Sequence, residues 1–341
     1  MARRSRTLRF KLLLVFALLV VVAWSMLWFV AATVVERQVE RAMAQAAERG
    51  TELTCTDRAV TGFPFRIELR CGAESSARTS AMDATVSSLT VAALIYRPAR
   101  IITEMRGPML VDAEGTPPVE ANWELAHASF RLNLSESRME RLDAEVVGAT
   151  LKVGDRLVRI KEADLNLRED PSAAGALNFA VRLNALESGF LSAPIALEAV
   201  GTVEEGAPLL RGGTDEVVRA VLFAGAPVTI DGLTLVHGDM AVRASGMVSL
   251  DEAGLISGNL TLAIAGEEAA ARYVSAAMPP QQSKTVSSLL TQLLKNTPAT
   301  TEVAGLPAKE VALRFDAGAV RVGAFPLPLP VKIPPIRPTL H

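Results

Sequence analysis

The chain has 341 residues, half of them hydrophobic, with 35 Lys or Arg, 37 Asp or Glu and two cysteines. Residues 1–11 hold five of the cations and no acid, so the rest of the chain has 30 basic against 37 acidic residues, a net charge of −7. This balance argues against nucleic acid and against anionic lipid headgroups as partners.

The segment 12–35 has 24 residues without a charge or a proline. At about 1.5 Å per residue, a helix of this length covers about 36 Å, more than the roughly 30 Å of a bilayer's hydrocarbon core. We therefore predict a transmembrane helix, with Trp24 and Trp28 near the outer headgroups. The alternatives are a buried core helix, which would show a polar stripe, and a cleaved signal peptide, whose apolar region is shorter and ends in small residues.

The flanks of this span predict its orientation. Basic residues precede it and no acidic residue occurs before Glu36. Because basic flanks stay in the cytoplasm, residues 1–11 are predicted to be a cytoplasmic tail and the rest of the chain to lie outside. Residues 36–50 continue with helical periodicity and end at Gly50, which predicts a helical stalk whose apolar stripe packs on the protein's own domain.

A turn motif follows the stalk. Gly62, Phe63 and Pro64 come directly before residues 65–71. In this stretch, which begins at Phe65, apolar and charged side chains alternate. This alternation is typical of a half-buried strand, and the glycine and proline are typical of a turn. We predict that Gly62, Phe63 and Pro64 form the loop of a β-hairpin.

The predicted hairpin pairs the two cysteines. With that loop, Thr61 lies opposite Phe65 and Cys55 lies directly opposite Cys71. Disulfides persist in the oxidising compartment outside the cytoplasm, and closing a loop of about 15 residues contributes about 3 kcal/mol to stability. A zinc site would need more ligands than two thiols, and a redox pair would have C-x-x-C spacing. We predict a structural disulfide.

These features carry a family resemblance. Two cysteines framing Gly-Phe-Pro-Phe-Arg, just after an N-terminal anchor, resemble domain of unknown function 2125, a family of anchored bacterial envelope proteins. Residues 322–330 and the following Ile333-Pro334-Pro335 are similar to that family's ending. The resemblance spans residues 36–338 and brings no catalytic residues. It implies a periplasmic domain on the inner membrane and, more distantly, kinship with AsmA-like proteins, whose β-rich domains are associated with lipid handling.

Residues 51–325 predict one β-rich exported domain. Apolar and polar residues alternate in successive segments from 82 to 203, which is typical of antiparallel strands with one apolar face and not of a parallel α/β sheet. Glycines and a proline at 205–213 mark a candidate internal break, after which Thr214 caps a short helix. The predicted fold is mainly β with a few helices, a meandering antiparallel sheet that is curved or forms a groove.

The second half predicts more strands, two helices and a tail. Asp231-Gly232 predicts a two-residue hairpin. Residues 267–278 and 283–295 have helical periodicity and interrupt the strands. Residues 326–341 form a proline-rich tail, for which the spacing of the prolines predicts an extended polyproline conformation.

The sequence holds no pattern of a catalytic or metal site. It has no G-x-S-x-G, S-x-x-K or H-E-x-x-H motif and no phosphate-binding glycine loop. Its three histidines, His127, His237 and His341, lack metal-ligand spacing and an obvious nucleophile partner. We therefore predict a protein that is not an enzyme and uses no metal or cofactor.

Two functions remain open. A membrane-tethered sheet with one aliphatic face suits a groove for lipid or another apolar ligand, because ligand sites are concave and mostly apolar. The alternative is a non-catalytic structural or scaffolding module for other envelope proteins, with its apolar faces used in an ordinary two-layer core. Alternation cannot separate the two, because an apolar face looks the same whether it meets protein or lipid.

Overall fold

The computed structural model describes residues 3–136, 138–211, 215–277, 288, 291–292, 294–323, 325–330 and 332–333. The described part confirms the predicted fold class: a long N-terminal helix precedes a large, mainly antiparallel sheet. The chain divides into two compact units. The first is Met1–Ser129 with Lys152–Gly154, and the second is Phe130–Leu151 with Asp155–His341. The segment 205–211, part of the predicted candidate break, lies inside the second unit.

Helix α1 (Arg3–Glu48) joins the predicted tail, span and stalk in 46 continuous residues. Its most apolar 18-residue window has a mean hydropathy of 2.7 and is 6% buried, so the helix is long and apolar enough to cross a membrane. The helix ends where predicted. Gly50 adopts φ +80°, and its N–H donates to the carbonyl of Ala47 at 3.0 Å. Glycine takes this left-handed conformation at no steric cost, which closes the last turn.

The first unit holds seven strands and the start of an eighth. Their bounds are β1 Glu52–Thr54, β2 Ala59–Thr61, β3 Arg66–Cys71, β4 Ser75–Arg78, β5 Met82–Leu94, β6 Arg97–Ala113, β7 Val119–Asn122 and β8 Leu125–Asn133. The long strand β5 is central, because β3, β4 and β6 all pair with it antiparallel. The stalk packs against this unit, as predicted: Val39 and Met43 of its apolar stripe are half-buried, and Arg58 Nη1, after β1, lies 3.8 Å from Met43 Sδ.

The second unit is an antiparallel meander. Its strands are β9 Arg138–Val153, β10 Arg156–Glu169, β11 Leu177–Ser188, β12 Ile195–Val203, β13 Val228–His237, β14 Met240–Leu250, β15 Ile256–Ala265, β16 Thr301–Val303, β17 Leu306–Asp316, β18 Ala319–Val322 and β19 Phe325–Pro330. Each strand from β10 to β14 pairs with the next, and β15 then pairs with β17. The predicted antiparallel meander is confirmed here.

Helices close the two ends of the apolar face of this meander. The 3₁₀ turn Ala207–Arg211 and helix α2 (Asp215–Leu222) contribute to one buried core, and helix α3 (Glu267–Ala277) contributes to another. The first core consists of Leu177, Val203, Leu210 and Val221. The second consists of Met240, Ile264, Ala270, Leu294, Val311 and Val322. Of the predicted helix 283–295, residues 288, 291, 292, 294 and 295 are described, and all are helical. Thr214 lies outside the described residues.

The predicted hairpin at Asp231-Gly232 is wrong. Strand β13 runs through both residues, and its pairing with β14 shifts between Ile230 and Leu233, which is a β-bulge. The segments on either side of the bulge pair with β12 and β14 over the full length of β13. Those ladders satisfy far more backbone groups than a short hairpin would, and this explains the outcome.

The polyproline prediction is also wrong for residues 325–330. These residues form β19, which pairs antiparallel with β18. Because prolines alternate along β19, the N–H groups of the remaining residues point to one side of the strand and can meet a partner there. The chain continues to Lys332, which bridges to Leu255. Residues 331 and 334–341 of the predicted tail lie outside the described residues.

Candidate functional site

The structure contains the predicted disulfide, although the predicted hairpin register is wrong. Cys55 and Cys71 are bonded, with their Cα atoms 4.9 Å apart. Strand β2 pairs with β3 so that Thr61 lies opposite Glu68 and not opposite Phe65. The observed register therefore differs from the prediction by three positions.

Two departures from a regular hairpin explain this difference. The N–H of Arg66 donates to the carbonyl of Gly62 at 3.1 Å, so the loop is longer than the predicted triplet. Before β2 the chain leaves the ladder, where Asp57 adopts φ +48° and the carbonyl of Thr56 accepts a 2.6 Å hydrogen bond from Gly72. The two irregularities offset each other, and Cys55 reaches Cys71 from a turn instead of from a strand.

The loop between β2 and β3 is hydrogen-bonded to helix α1. The indole Nε1 of Trp24 donates to the carbonyl of Pro64 at 2.8 Å. The indole Nε1 of Trp28 donates to the carbonyl of Arg66, also at 2.8 Å. Sequence analysis placed these tryptophans near lipid headgroups and did not predict these bonds, which join residues 40 and 38 positions apart.

Aromatic rings pack around these bonds. Phe63 meets Trp28 edge to face with ring centres 5.5 Å apart, and it stacks on Phe29 at 6.3 Å. Phe65 lies 6.4 Å from Trp24. Trp28 is 6% exposed, whereas Phe63 and Phe65 are 51% and 61% exposed. We call Trp24, Trp28, Phe29, Phe63 and Phe65 the aromatic junction. Its tryptophans lie between the helix and the loop, and its phenylalanines are largely exposed.

A buried carboxylate lies just beyond the loop. Glu68 is 4% exposed and is flanked on the same face of β3 by Arg66 and Arg70. Arg66 Nη2 lies 3.0 Å from Glu68 Oε2, and Arg70 Nε contacts Glu68 Oε1. Sequence analysis read this face as solvent-exposed; the Arg-x-Glu-x-Arg spacing was the available signal, because alternate residues of a strand share a face. Two cations balance the charge that burial would otherwise make costly.

The second unit has an aliphatic surface between the two cores described above. Strand pairing places Ala163, Leu183 and Leu197 side by side across β10, β11 and β12. The neighbouring row is Ile160, Leu186 and Ile195. Both rows contain only aliphatic side chains. The large ones, with their neighbours Leu165 and Val181, are half-buried and belong to neither core. We call this set the aliphatic patch: Ile160, Leu165, Val181, Leu183, Leu186, Ile195 and Leu197.

A cavity lies near the patch, where β10 begins and β11 ends. Its volume is about 540 Å³, and its lining includes the exposed Leu157 and Phe190 together with Arg156 and Arg159. The pair Val158 and Ser188, next to this cavity, follows the patch pair Ile160 and Leu186 in the register. Leu157 and Arg159 alternate with Val158 and Ile160 along β10, so these two lining residues belong to the other face of the strand.

The chain matches the family model described as an uncharacterised protein conserved in bacteria, DUF2125, over residues 28–330. The chain belongs to this family. The match includes the disulfide, the aliphatic patch and all of the aromatic junction except Trp24. Comparisons with curated proteins and with solved structures give no match. The kinship with AsmA-like proteins stays a prediction.

A carboxylate cluster on the face of β10 opposite the aliphatic patch was not predicted. Carboxylate oxygens of Glu145, Glu162 and Asp164 lie within 4.8 Å of one another. Sequence analysis missed this group because its members come from two paired strands. Asp164 Oδ2 lies 3.7 Å from Arg182 Nη1, so a cation of the protein itself stands at the cluster. This ion pair gives the carboxylates a structural role, which accounts for their lying close together.

His237 has a neighbour that sequence analysis did not find. Its Nε2 lies 3.2 Å from Ser192 Oγ, and its ring centre is 5.5 Å from that of Tyr273. The other nitrogen, Nδ1, is buried without a hydrogen-bond partner among the described residues. A serine nucleophile needs a histidine oriented by a third group, and this pair lacks one in the described part of the chain. His341 lies outside the described residues.

Proposed function

We propose that the chain is a non-catalytic, single-pass protein of the bacterial inner membrane that binds lipid or another apolar ligand in the periplasm. The aliphatic patch of the second unit carries this proposal. Membrane lipid is its proposed partner, nucleic acid is not, and no cofactor is invoked. The family to which the chain belongs is bacterial.

The patch is suited to an acyl chain. Seven large aliphatic side chains lie half-buried on three adjacent strands, while the same face is fully buried in the cores at either end. Burying apolar surface is favourable by about 0.8 kcal/mol for each methylene, so a bound hydrocarbon chain gains affinity from every carbon that reaches the patch. Ligand sites are usually lined mostly by apolar side chains, as the patch is.

The proposed placement rests on helix α1 and its flanks. The helix has an apolar segment long enough to cross a membrane, and the cations of residues 1–11 favour a cytoplasmic N-terminus. The disulfide between Cys55 and Cys71 suits an oxidising compartment on the other side. Both arguments support a periplasmic location for the two units.

Lipid capture by the full-length protein tests ligand binding. We expect the chain, purified from membranes in mild detergent, to retain lipid that mass spectrometry detects after extensive washing. Leu183→Gln should lower the amount retained, because it places a polar group in the middle of the patch. Asn184→Gln is the matched control: the adjacent residue of β11 points to the opposite face and should leave retention unchanged.

Equal lipid retention by the two variants would refute the patch as the ligand site. If the wild-type chain retains no more lipid than a single-span control protein, the alternative of a structural or scaffolding module for other envelope proteins takes its place. That alternative predicts co-purifying proteins instead of lipid.

Orientation has its own test. A reporter enzyme that is active only after forming disulfides, fused after residue 341, should be active in intact cells. A reporter that is active only in the cytoplasm should be silent at the same position. The reverse result would contradict the proposed placement.

A further inference from the structure

We infer that the loop from Gly62 to Arg66 inserts into the outer leaflet of the membrane that helix α1 crosses. The inference rests on the proposed anchoring and is independent of ligand binding by the patch. Its basis is where on α1 the loop is held. Trp24 and Trp28, which hydrogen-bond to the loop, lie inside the uncharged segment 12–35 and not in the stalk.

The depth of the loop follows from helix geometry. A hydrocarbon core of about 30 Å takes about 20 helical residues. If the core begins at Leu12, directly after the last cation, it ends near Ala31. Trp28 then lies about 5 Å and Trp24 about 10 Å inside its outer edge. The loop carbonyls that these indoles bind lie at a similar depth.

Keeping the loop in water would require an unfavourable placement of the helix. With the outer edge of the core at Trp24, the 20-residue span would begin near Ser5 and bury Arg6, Arg9 and Lys11. A basic residue at the centre of a membrane helix costs about 2.5–3.5 kcal/mol, and less near the ends. The same placement would also leave Phe29, Val30 and Val34, all more than half exposed, in water.

Entering hydrocarbon requires that backbone polar groups find partners within the protein, and four carbonyls of the loop have such partners. The carbonyls of Pro64 and Arg66 accept hydrogen bonds from the two indoles. The carbonyl of Gly62 accepts from Arg66 N, and that of Phe65 accepts from Ile95 N, both at 3.1 Å. Pro64 has no N–H to satisfy.

The outer surface of the loop is apolar except for Arg66, whose Nη2 lies 3.0 Å from Glu68 Oε2. Phe63 and Phe65 expose more than half of their surface on the side away from the helix. Ile95, which binds the carbonyl of Phe65, lies in the β5–β6 turn next to Tyr96, which is 61% exposed. Tyrosine and other aromatic residues concentrate at membrane interfaces, where an apolar ring and a polar tip are both accommodated. These aromatic side chains therefore suit contact with lipid at this end of the first unit.

Photochemical crosslinking in vesicles tests the insertion. The full-length chain carries a benzophenone amino acid at one position and is reconstituted in vesicles of phosphatidylethanolamine and phosphatidylglycerol. We expect lipid adducts at Phe65 and Tyr96, measured by mass spectrometry after irradiation, and several-fold fewer at Met82. Met82 is an exposed apolar residue at the opposite end of β5, about 40 Å from Leu94 at about 3.3 Å per residue. Leu19, in the middle of the span, is the positive control.

The outcomes separate this inference from the proposed function. Adducts at Leu19 without an excess at Phe65 and Tyr96 over Met82 would overturn loop insertion and leave the anchor intact. Absence of adducts at Leu19 would overturn the anchor and this inference together. Lipid retention by the aliphatic patch is unaffected in either case. Each variant is checked for its disulfide on a non-reducing gel, which shows that the loop has folded.

Discussion

The aromatic junction and the aliphatic patch are both apolar and both partly exposed, but they are built differently. In the junction, two indole hydrogen bonds and a nearby disulfide hold a short loop against a helix. In the patch, no polar side chain contributes, and only the register of three strands brings the residues together. The contrast matches the two proposals, a fixed membrane contact in the first unit and an adaptable, non-directional ligand surface in the second, because hydrogen bonds set geometry and hydrophobic burial does not.

The largest effect is expected where the patch gives way to the core of the second unit. Leu210 is 1% exposed and packs with Leu177, Val203 and Val221. Leu210→Ala should lower the free energy of unfolding by about 4 kcal/mol, because it leaves a cavity in a closed core. Leu183→Ala, in the half-buried patch, should cost about 1 kcal/mol. Chemical denaturation in detergent, followed by circular dichroism, measures both; equal losses would mean that the patch is as closed as the core.

The disulfide should have the next largest effect, in the unit that holds the junction. Replacing both Cys55 and Cys71 by serine opens a loop with a sequence separation of 16 and should cost about 3 kcal/mol in unfolding free energy. Thermal unfolding measures the change. A reducing agent should lower the unfolding temperature of the wild type to that of the variant and should not alter the variant. Insensitivity of the wild type to reduction would show that the cross-link does not stabilise the fold.

Loss of one indole hydrogen bond should have a smaller effect. Trp28→Phe leaves the carbonyl of Arg66 without its partner and should cost about 1–2 kcal/mol. Hydrogen exchange of the loop and β3 should then become about tenfold faster for each 1.4 kcal/mol lost. Trp123→Phe is the matched control, because Trp123 Nε1 makes the same 2.8 Å bond to a carbonyl, that of Met105, away from the junction. Equal acceleration of the loop in both variants would contradict a local role for Trp28.

The smallest effect concerns a turn of the second unit. Ser172 N donates to Asp170 Oδ1 at 2.7 Å, and this backbone hydrogen bond lowers the pKa of Asp170 below its usual 3.8. A carboxylate with a lowered pKa stabilises the folded state above the unfolded pKa, and that contribution disappears as the pH falls through the folded pKa. We expect no change in the turn between about pH 7 and pH 5 and a weakening only below about pH 4. NMR titration checks this, and Asp170→Asn should remove the dependence.

Local patterns in the sequence predicted much of this fold. The uncharged segment 12–35, the strand alternation and the glycine at the end of α1 each reflect a preference that neighbouring residues impose on one another. Helical and strand periodicities depend only on which face is buried, so they are readable without knowing the partner. The disulfide was predicted correctly although the hairpin register was wrong, because the chain has two cysteines and their sequence separation is 16.

The errors share a different cause. The bulge at Asp231, the pairing of β19 and the three-position shift of β2 against β3 all depend on which strand provides the longer ladder. That competition involves segments far apart in sequence, and turn residues alone cannot decide it. The burial of Glu68 was missed for the same reason, because its position on β3 follows a polar pattern and its neighbours cover it only in the folded unit.

The sequence by itself determined the long apolar helix, the antiparallel class of the sheet and the pairing of the cysteines, because each follows from short-range periodicity or spacing. Only the tertiary structure showed that the loop at Phe63 is held against the apolar part of α1, and that the aliphatic face stays half-buried between two cores. Both depend on contacts between distant segments, where packing and hydrogen bonding choose among arrangements that local preferences leave equally favourable.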